Sequence, residues 1–208
     1  MMTSSACRPA IGQMEQIIVT LQVGLSETTF NLHRGILSAR APSSAGTDPD
    51  SPWTETQENV MSLPDTEPGI FEAFVIDWMY TGKIQKQPDW LLLEGYIFAS
   101  RYEVPGLRDH IVRDFFSAYV WGDRVKLPAY QLVSRAFRTL PLESMLCKLF
   151  LELYEVGWSS DADDEDAVEE RDKLPGIFVR ELLVRLGRRE GRHDSVGYLS
   201  DFLESSDE

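Results

Sequence analysis

The sequence predicts an α+β protein in which a small three-stranded sheet packs with a cluster of helices and an all-helical extension follows. Apolar runs rich in β-branched residues or alternating with polar ones lie within the first 63 residues. From residue 66 onward, apolar residues instead recur at helical spacing. Residues 42–52 contain no large apolar side chain, so we expect an irregular loop between the second and third strands.

The strands follow from short apolar patterns. Residues 17–23 form a β-branched-rich run closed by Gly24, which is typical of a largely buried strand. Residues 29–33 alternate apolar and polar side chains, which predicts a hairpin with the first strand. One or two helical turns are expected over 35–40, and the alternation of 59–63 predicts the third strand.

The helices follow from apolar stripes at spacings of three and four residues. Thr66 and Pro68 are suitable for a helix start, and Ile70, Phe74 and Trp78 then lie four residues apart. Gly82 marks the exit from this helix. Further helices are predicted over 90–102, 107–118, 128–140, 141–156 and 174–186.

The charge balance bears on the class of partner. The chain has a formal net charge of −14, so nucleic acid or an anionic membrane is not an expected partner. A group of basic residues near the C-terminus could bind a polyanion despite the negative net charge, but Glu181 and Glu190 interrupt this group. Its members are Arg180, Arg185, Arg188, Arg189 and Arg192. We interpret them as the solvated face of a helix opposite the acidic segment of the chain.

Near the C-terminus, one segment of the chain is strongly acidic, and a short apolar segment lies beyond it. Residues 159–172 hold eight acidic residues and one basic residue, so we expect a linker that repels itself too strongly to pack. A short apolar face precedes the acidic tail and consists of Tyr198, Leu199, Phe202 and Leu203. Docking on the domain, or fraying, is favoured over a role as a partner-binding segment.

No pattern of residues indicates catalysis, a cofactor or a metal. Neither Cys7 nor Cys147 has companions for a disulfide, a metal site or a thiol nucleophile. The histidines His33, His110 and His193 lack a second ligand at metal-binding spacing. We therefore predict a protein that is not an enzyme and needs no cofactor, with an unrecognised active site as a remote alternative.

The N-terminal residues lack the apolar segment of a signal peptide, and no apolar run reaches the length of a transmembrane helix. We expect an intracellular protein, cytoplasmic or nuclear.

Four stretches, in this order, resemble the BTB/POZ family, particularly its short fungal-type members with a helical C-terminal extension. They are Val23-Gly24 with 30–33 and Ile36-Leu37, then 53–55 with 60–65, then 71–74 with 78–82, and finally 96–107. The most distinctive is the helix end Trp78-Met79-Tyr80-Thr81-Gly82. The resemblance implies the BTB/POZ fold over about half of the chain.

The chain departs from the family pattern in two places. Ile17 or Ile18 stands where the family places an aspartate at the start of the first strand. Residues 41–44, Ala-Pro-Ser-Ser, replace the serine and paired aromatics that follow the first helix in the family. The first departure weakens the case for a charged peptide groove, although Arg40 is present. The second predicts a shortened or unformed second helix.

The resemblance implies interaction with another protein. Family members form homodimers, and many are substrate adaptors that bind the cullin scaffold of a ubiquitin ligase through a hydrophobic-x-Glu motif. Trp53 and Glu55 occupy these two motif positions. Either Trp53 is an exposed anchor and Glu55 orients a basic partner, or Trp53 packs on its own loop and Glu55 is merely solvated. The alternative function is a self-associating scaffold or a transcription-linked interaction protein without a ligase role.

The predicted organisation therefore has five segments. They are a flexible N-terminus at 1–14, a BTB/POZ domain at 15–120 with the irregular loop 42–52, a helical extension at 121–158, an acidic linker at 159–173, and a C-terminal helix with an acidic tail at 174–208.

Overall fold

The computed structural model describes most of the chain. The described residues are 17–45, 52–57, 59–122, 124–159, 165–188 and 198–203. The predicted flexible segment 1–14, Cys7, His193 and most of the loop 42–52 lie outside them. The chain divides into two compact units, of which the first comprises residues up to 85 with 101–104 and the second comprises 86–100 with the residues from 105.

The first unit contains a mixed four-stranded sheet. Its strands are β1 (Ile18–Val23), β2 (Thr28–His33), β3 (Thr54–Gln57) and β4 (Val60–Leu63), in the order β2-β1-β4-β3. Strand β1 pairs antiparallel with β2 and parallel with β4, and β3 pairs antiparallel with β4. Val19, Leu21 and Val23 are fully buried, because alternate side chains of β1 face the core.

Three of these strands confirm the prediction, but the count of three strands is wrong because β3 adds a fourth. The sequence from Thr54 to Gln57 contains only polar residues, so it lacks the apolar alternation by which strands are found. Its pairing with β4 also shifts register between Glu55 and Gln57, as in a β-bulge. The extra strand lies at the edge of the sheet.

Short helices complete the first unit. They are α1 (Arg34–Arg40), a 3-10 turn (Pro42–Ala45), and a helical run composed of α2 (Pro68–Ile70), a π-helical turn (Phe71–Val75) and α3 (Ile76–Thr81). The π turn keeps the run continuous, and Phe71 packs against Phe30 at 5.0 Å between ring centroids. Gly82 ends α3 with φ +68°, as its predicted role requires. The 3-10 turn is the only helical element described between α1 and β3.

The second unit is dominated by helices. They are α4 (Asp89–Arg101, the last residue belonging to the first unit), α5 (Pro105–Tyr119), α6 (Tyr130–Thr139), α7 (Met145–Gly157), α8 (Glu165–Asp172) and α9 (Gly176–Gly187). Phe115 of α5 packs edge-on against Phe150 of α7 at 5.5 Å between ring centroids. The Tyr154 hydroxyl donates a 2.6 Å hydrogen bond to the Pro128 carbonyl. Buried aromatic contacts therefore join these helices.

The second unit differs from the prediction in two places, the first of which directly follows α5. A two-stranded hairpin of β5 (Val120–Trp121) and β6 (Arg124–Val125) interrupts the expected helical region. Gly122, with φ +59°, allows this tight turn, and strands of two residues are too short to show a period.

The expectation of an unpacked acidic linker is wrong for residues 165–172, because these residues form α8, which contacts α6. The Lys173 ammonium lies 2.8 Å from a Glu169 carboxylate oxygen and 2.9 Å from one of Glu170. Arg138 donates a hydrogen bond to the Lys173 carbonyl. Cations at the C-terminal end of a helix offset the repulsion among its acidic residues.

The short apolar face near the C-terminus docks on the second unit. A 3-10 turn spans Leu199–Phe202, and the buried Phe202 ring lies 6.0 Å from that of Phe116. The favoured interpretation of this segment is therefore confirmed for Phe202, while Tyr198 is exposed. The α+β class with a helical extension is confirmed as well.

Gly24 provides a test of the packing in the first unit. An added Cβ atom would lie 2.9 Å from Cδ of Pro68 and 3.0 Å from the Thr66 carbonyl oxygen, and φ is +75°. We expect Gly24→Ala to lower the free energy of unfolding by roughly 1–2 kcal/mol, because an alanine is disfavoured in the left-handed backbone conformation of this position. Overpacking adds roughly 1–3 kcal/mol.

The matched control is Gly122→Ala, because φ there is +59° but no described atom lies within 4 Å of the added carbon. It should show only the backbone cost. Urea denaturation of both variants measures the difference, and equal losses would contradict the packing argument.

Candidate partner-binding site

Trp53 is buried and does not form an exposed anchor. Its side chain is only 3% exposed, and its indole nitrogen donates a 2.8 Å hydrogen bond to the Tyr102 carbonyl. The two rings lie 5.3 Å apart. Of the two interpretations left open by the sequence, the structure therefore places Trp53 in contact with its own domain, and the expectation of an exposed aromatic at this position is wrong.

Tyr102 joins several parts of the first unit. Besides Trp53, its carbonyl accepts a 3.4 Å hydrogen bond from the Ser43 hydroxyl. Burial raises the pKa of the Tyr102 phenol, and a hydrogen bond with Thr66 partly opposes this shift. Next to it, Arg101 contacts the Asp65 carboxylate at 3.5 Å. Hydrogen bonds to the Tyr102 carbonyl therefore connect the turn after α4 to the residue before β3, and the ion pair of Arg101 connects it to the segment after β4.

Glu55 lies on the edge strand β3. Its backbone pairs with Met61 of β4, but its side chain is outside the described part of the structure. The hydrogen bond from Trp53 to the Tyr102 carbonyl holds the residue directly before β3, two residues before Glu55. The structure thus brings Trp53 and Glu55 onto one segment and gives the Trp53 side chain a positioning role.

Arg40, which the sequence suggested for a charged groove, interacts with the end of α3. Its Nε donates a 3.3 Å hydrogen bond to the Met79 carbonyl, and its guanidinium lies 5.1 Å from the centre of the Trp78 ring. The absence of a side chain at Gly82 makes room for it, because an added Cβ would lie 3.0 Å from Nη2. Arg40 therefore serves helix α3 as a C-terminal cation.

A cleft of about 430 Å³ lies within the second unit, between α4 and the start of α6. Trp90, which is 60% exposed, lines it together with the buried side chains of Leu93 and Leu132. Glu94 and Arg135 form a two-pronged ion pair on its wall, with N–O distances of 2.8 and 3.1 Å. Exposed tryptophan beside buried apolar groups is the composition typical of protein-binding sites.

The described residues also bear on catalysis. No group of three or more His, Cys, Asp or Glu residues in the described ranges could hold a metal ion. Burial raises the pKa of the Cys147 thiol to about 11, which disfavours the nucleophilic thiolate. His33 contacts the Tyr80 hydroxyl at 3.0 Å through Nδ1. Burial lowers the pKa of His110 and raises that of Asp114, which lies one helical turn away.

Sequence reasoning missed Tyr102 and Trp90 as residues of interest. Tyr102 acts mainly through its backbone carbonyl, which no sequence pattern marks. Trp90 follows Asp89 at the start of α4, where a tryptophan in the first helical turn outside the apolar stripe could have indicated an exposed ring.

No described helix has the length and apolar character that would let it cross a membrane.

Comparison with known protein families gives a match over the first part of the chain. The family model described as BTB/POZ domain matches residues 13–116, which is half of the chain. The match covers the sheet and helices α1 to α5 nearly to the end of α5, and leaves α6 to α9 outside. A search of curated proteins found no match.

Replacing Trp53 tests its positioning role. We expect Trp53→Ala to lower the free energy of unfolding by about 3–5 kcal/mol, because a buried ring and a hydrogen bond are lost. Trp53→Phe keeps a ring but leaves the Tyr102 carbonyl without its shorter donor, which should cost about 1–3 kcal/mol.

Trp121→Ala is the matched control, since Trp121 is 74% exposed and should change stability by less than about 0.5 kcal/mol. Chemical denaturation compares the three variants. Similar losses for Trp53→Ala and Trp121→Ala would contradict the burial of Trp53.

Proposed function

Because the chain belongs to the BTB/POZ domain family, we propose that it forms a homodimer and serves as an adaptor between a cullin scaffold of a ubiquitin ligase and a substrate. Membership in this family makes the chain a protein–protein interaction module. The homodimer and the cullin contact are what the resemblance of residues 15–119 implies. The position of Glu55 carries the adaptor proposal.

Glu55 lies on the strand at the edge of the four-stranded sheet, where a partner can approach from outside. Trp53 fixes the start of that strand through a buried hydrogen bond, so Glu55 is held on an ordered element. A carboxylate in such a place favours a basic partner. Trp53 then contributes to binding by positioning Glu55 instead of touching the cullin.

An adaptor needs a second surface for its substrate. The cleft beside Trp90 supplies one, and the α6 residues that line it belong to the helical extension, outside residues 13–116. Its exposed indole and apolar floor suit an apolar anchor side chain of a substrate protein.

A second candidate function is a self-associating scaffold or transcription-linked interaction protein without a ligase role. The burial of Trp53 favours it, because the exposed aromatic of the hydrophobic-x-Glu motif is then missing. Loss of the cullin contact would leave self-association intact.

Self-association is tested by sedimentation velocity of the full chain across micromolar concentrations. We expect a mass twice the 23.7 kDa of the single chain, since family members dimerise. A mass of 23.7 kDa at every concentration would contradict the homodimer.

The cullin contact is tested by Glu55→Lys. We expect binding of a purified cullin scaffold to weaken at least about tenfold, because a charge that faces a basic partner changes sign. Glu27→Lys is the control, because Glu27 lies beside β2 at the opposite edge of the sheet and is exposed. Titration of the cullin against both variants gives the dissociation constants. Equal binding by the wild type and Glu55→Lys, or an absence of binding by the wild type, would reject the adaptor role.

A further inference from the structure

The last described residues of the chain, 198–203, dock on two helices of the second unit. Their 3-10 turn contacts both α5 and α7. Phe202 is 2% exposed, and its ring lies 6.0 Å from that of Phe116 on α5. Helices α5 and α7 are themselves packed together through Phe115 and Phe150. The turn therefore lies over the groove between two neighbouring helices, a place where short segments of other proteins commonly bind.

A single ring holds this segment. Among the side chains of 198–203 that the structure describes, only Phe202 is buried, since Tyr198 and Asp201 are exposed and Leu203 is half-buried. The burial of one ring must offset the conformational freedom that six ordered residues lose. We therefore expect a contact that opens easily.

The segment also carries its own turn. The Asp201 backbone N–H donates a 2.9 Å hydrogen bond to the Tyr198 carbonyl, and an Asp201 carboxylate oxygen accepts a 3.0 Å hydrogen bond from the Tyr198 backbone N–H. Reciprocal bonds of this kind resemble a capping box. Because both bonds are internal to the segment, they do not depend on α5 or α7. A similar short sequence from another protein can therefore form the same turn.

The connection to α9 lets the segment leave the groove and return. Residues 189–197 separate it from Arg188, which directly follows α9. A stretch of this length spans at most about 30 Å, so Phe202 can leave the groove without a shift of α9. The same tether keeps the effective concentration of the segment on the order of millimolar. A contact that opens easily is thus still closed most of the time.

We propose that the groove between α5 and α7 is a peptide-binding site, and that residues 198–203 are its intramolecular ligand, which blocks the groove until a segment of a partner protein displaces them. The chemistry of the external ligand follows from the internal one. It is a short turn with an aromatic anchor directly after a carboxylate residue, as in Asp201-Phe202. Helix α7 lies outside residues 13–116, and the proposal depends neither on dimerisation nor on cullin binding.

The charge beside the groove favours an acidic ligand. Arg113 is exposed and lies three residues before Phe116 on the same face of α5, whereas Asp109 of that face is two turns from Phe116. The internal ligand has Asp201 next to its anchor, and three more acidic residues follow Leu203 in the sequence. Most of a chain with net charge −14 repels such a segment, so a local cation helps to hold it.

The first test titrates a labelled peptide with the sequence of residues 198–208 against the full chain. Phe202→Ala in the chain should empty the groove, so that the peptide binds at least about tenfold more tightly than to the wild type, whose own segment competes. Tyr198→Ala is the matched control, because it removes an exposed ring from the same segment, and it should bind like the wild type. Equal affinities of the wild type and Phe202→Ala, or no binding by either, would overturn the proposal.

Further substitutions in the Phe202→Ala chain locate the site. Phe116→Ala should weaken peptide binding at least about tenfold, because the ring that contacts the anchor is lost. Arg113→Glu should weaken it at least about threefold. A peptide that itself carries Phe202→Ala should not bind. An unchanged affinity with Phe116→Ala would reject the groove, and an unchanged affinity with Arg113→Glu would reject the acidic class of ligand.

Stability measurements separate a displaceable ligand from a part of the core. Circular dichroism should show the same helix content for Phe202→Ala and the wild type, and loss of the folded state would overturn the proposal. Hydrogen exchange decides the same question without a substitution. In the wild type, the backbone amides of 199–203 should exchange at least about a hundredfold faster than the buried amides of α7. Equal protection of the two sets would also overturn it.

Sedimentation of the same variants separates this proposal from the homodimer. The wild type and Phe202→Ala should have the same mass, because the segment binds within its own chain. A change from two chains to one on Phe202→Ala would mean that the segment is exchanged between two copies, which overturns the intramolecular contact. A monomeric wild type whose Phe202→Ala variant binds the peptide more tightly supports this proposal and rejects the homodimer.

Discussion

The first unit depends on the buried backbone carbonyl of Tyr102. This one acceptor receives hydrogen bonds from Trp53 and Ser43, which lie on either side of the loop between α1 and β3. Because an unsatisfied buried carbonyl is costly, the bonds constrain both ends of that loop as well as the turn after α4. The edge strand follows directly from Trp53, so its position depends on the same contact. A residue that resembled an exposed binding anchor is therefore part of the internal support for the site.

Much of the architecture could be predicted from the sequence because burial leaves a periodic pattern. The apolar alternation of β1 and the positions of Ile70 and Trp78 in the helical stripe reflect residues that are buried in the structure. The missed elements lack such a pattern, since β3 is wholly polar and α8 is stabilised by Lys173 at its end. The environment of Trp53 could not be predicted, because a tryptophan in a loop can face either way. Only a tertiary contact, here the hydrogen bond to the Tyr102 carbonyl, decides between an exposed and a buried orientation of the ring.

The two units present different kinds of surface for interaction. In the first, the edge strand offers its backbone and the position of Glu55, and the ring of Trp53, directly before this strand, packs against that of Tyr102. In the second, exposed apolar side chains dominate, at Trp90 beside its cleft and along α9. Directed polar contacts suit recognition of a defined partner, whereas apolar faces supply affinity with less directional demand.

The parallel pairing of β1 with β4 has a consequence for folding kinetics. Strands β1 and β2 are joined by a tight turn at Gly24 and can pair early, whereas β4 must return across α1 and the long connection that follows it. Contacts between distant parts of a chain form late, because loop closure must precede them. We expect β4, and with it the edge strand that bears Glu55, to join the sheet last. A nascent or partly unfolded chain would thus keep the β1–β2 hairpin while lacking the opposite edge of the sheet, so that only a completely folded molecule would present strand β3.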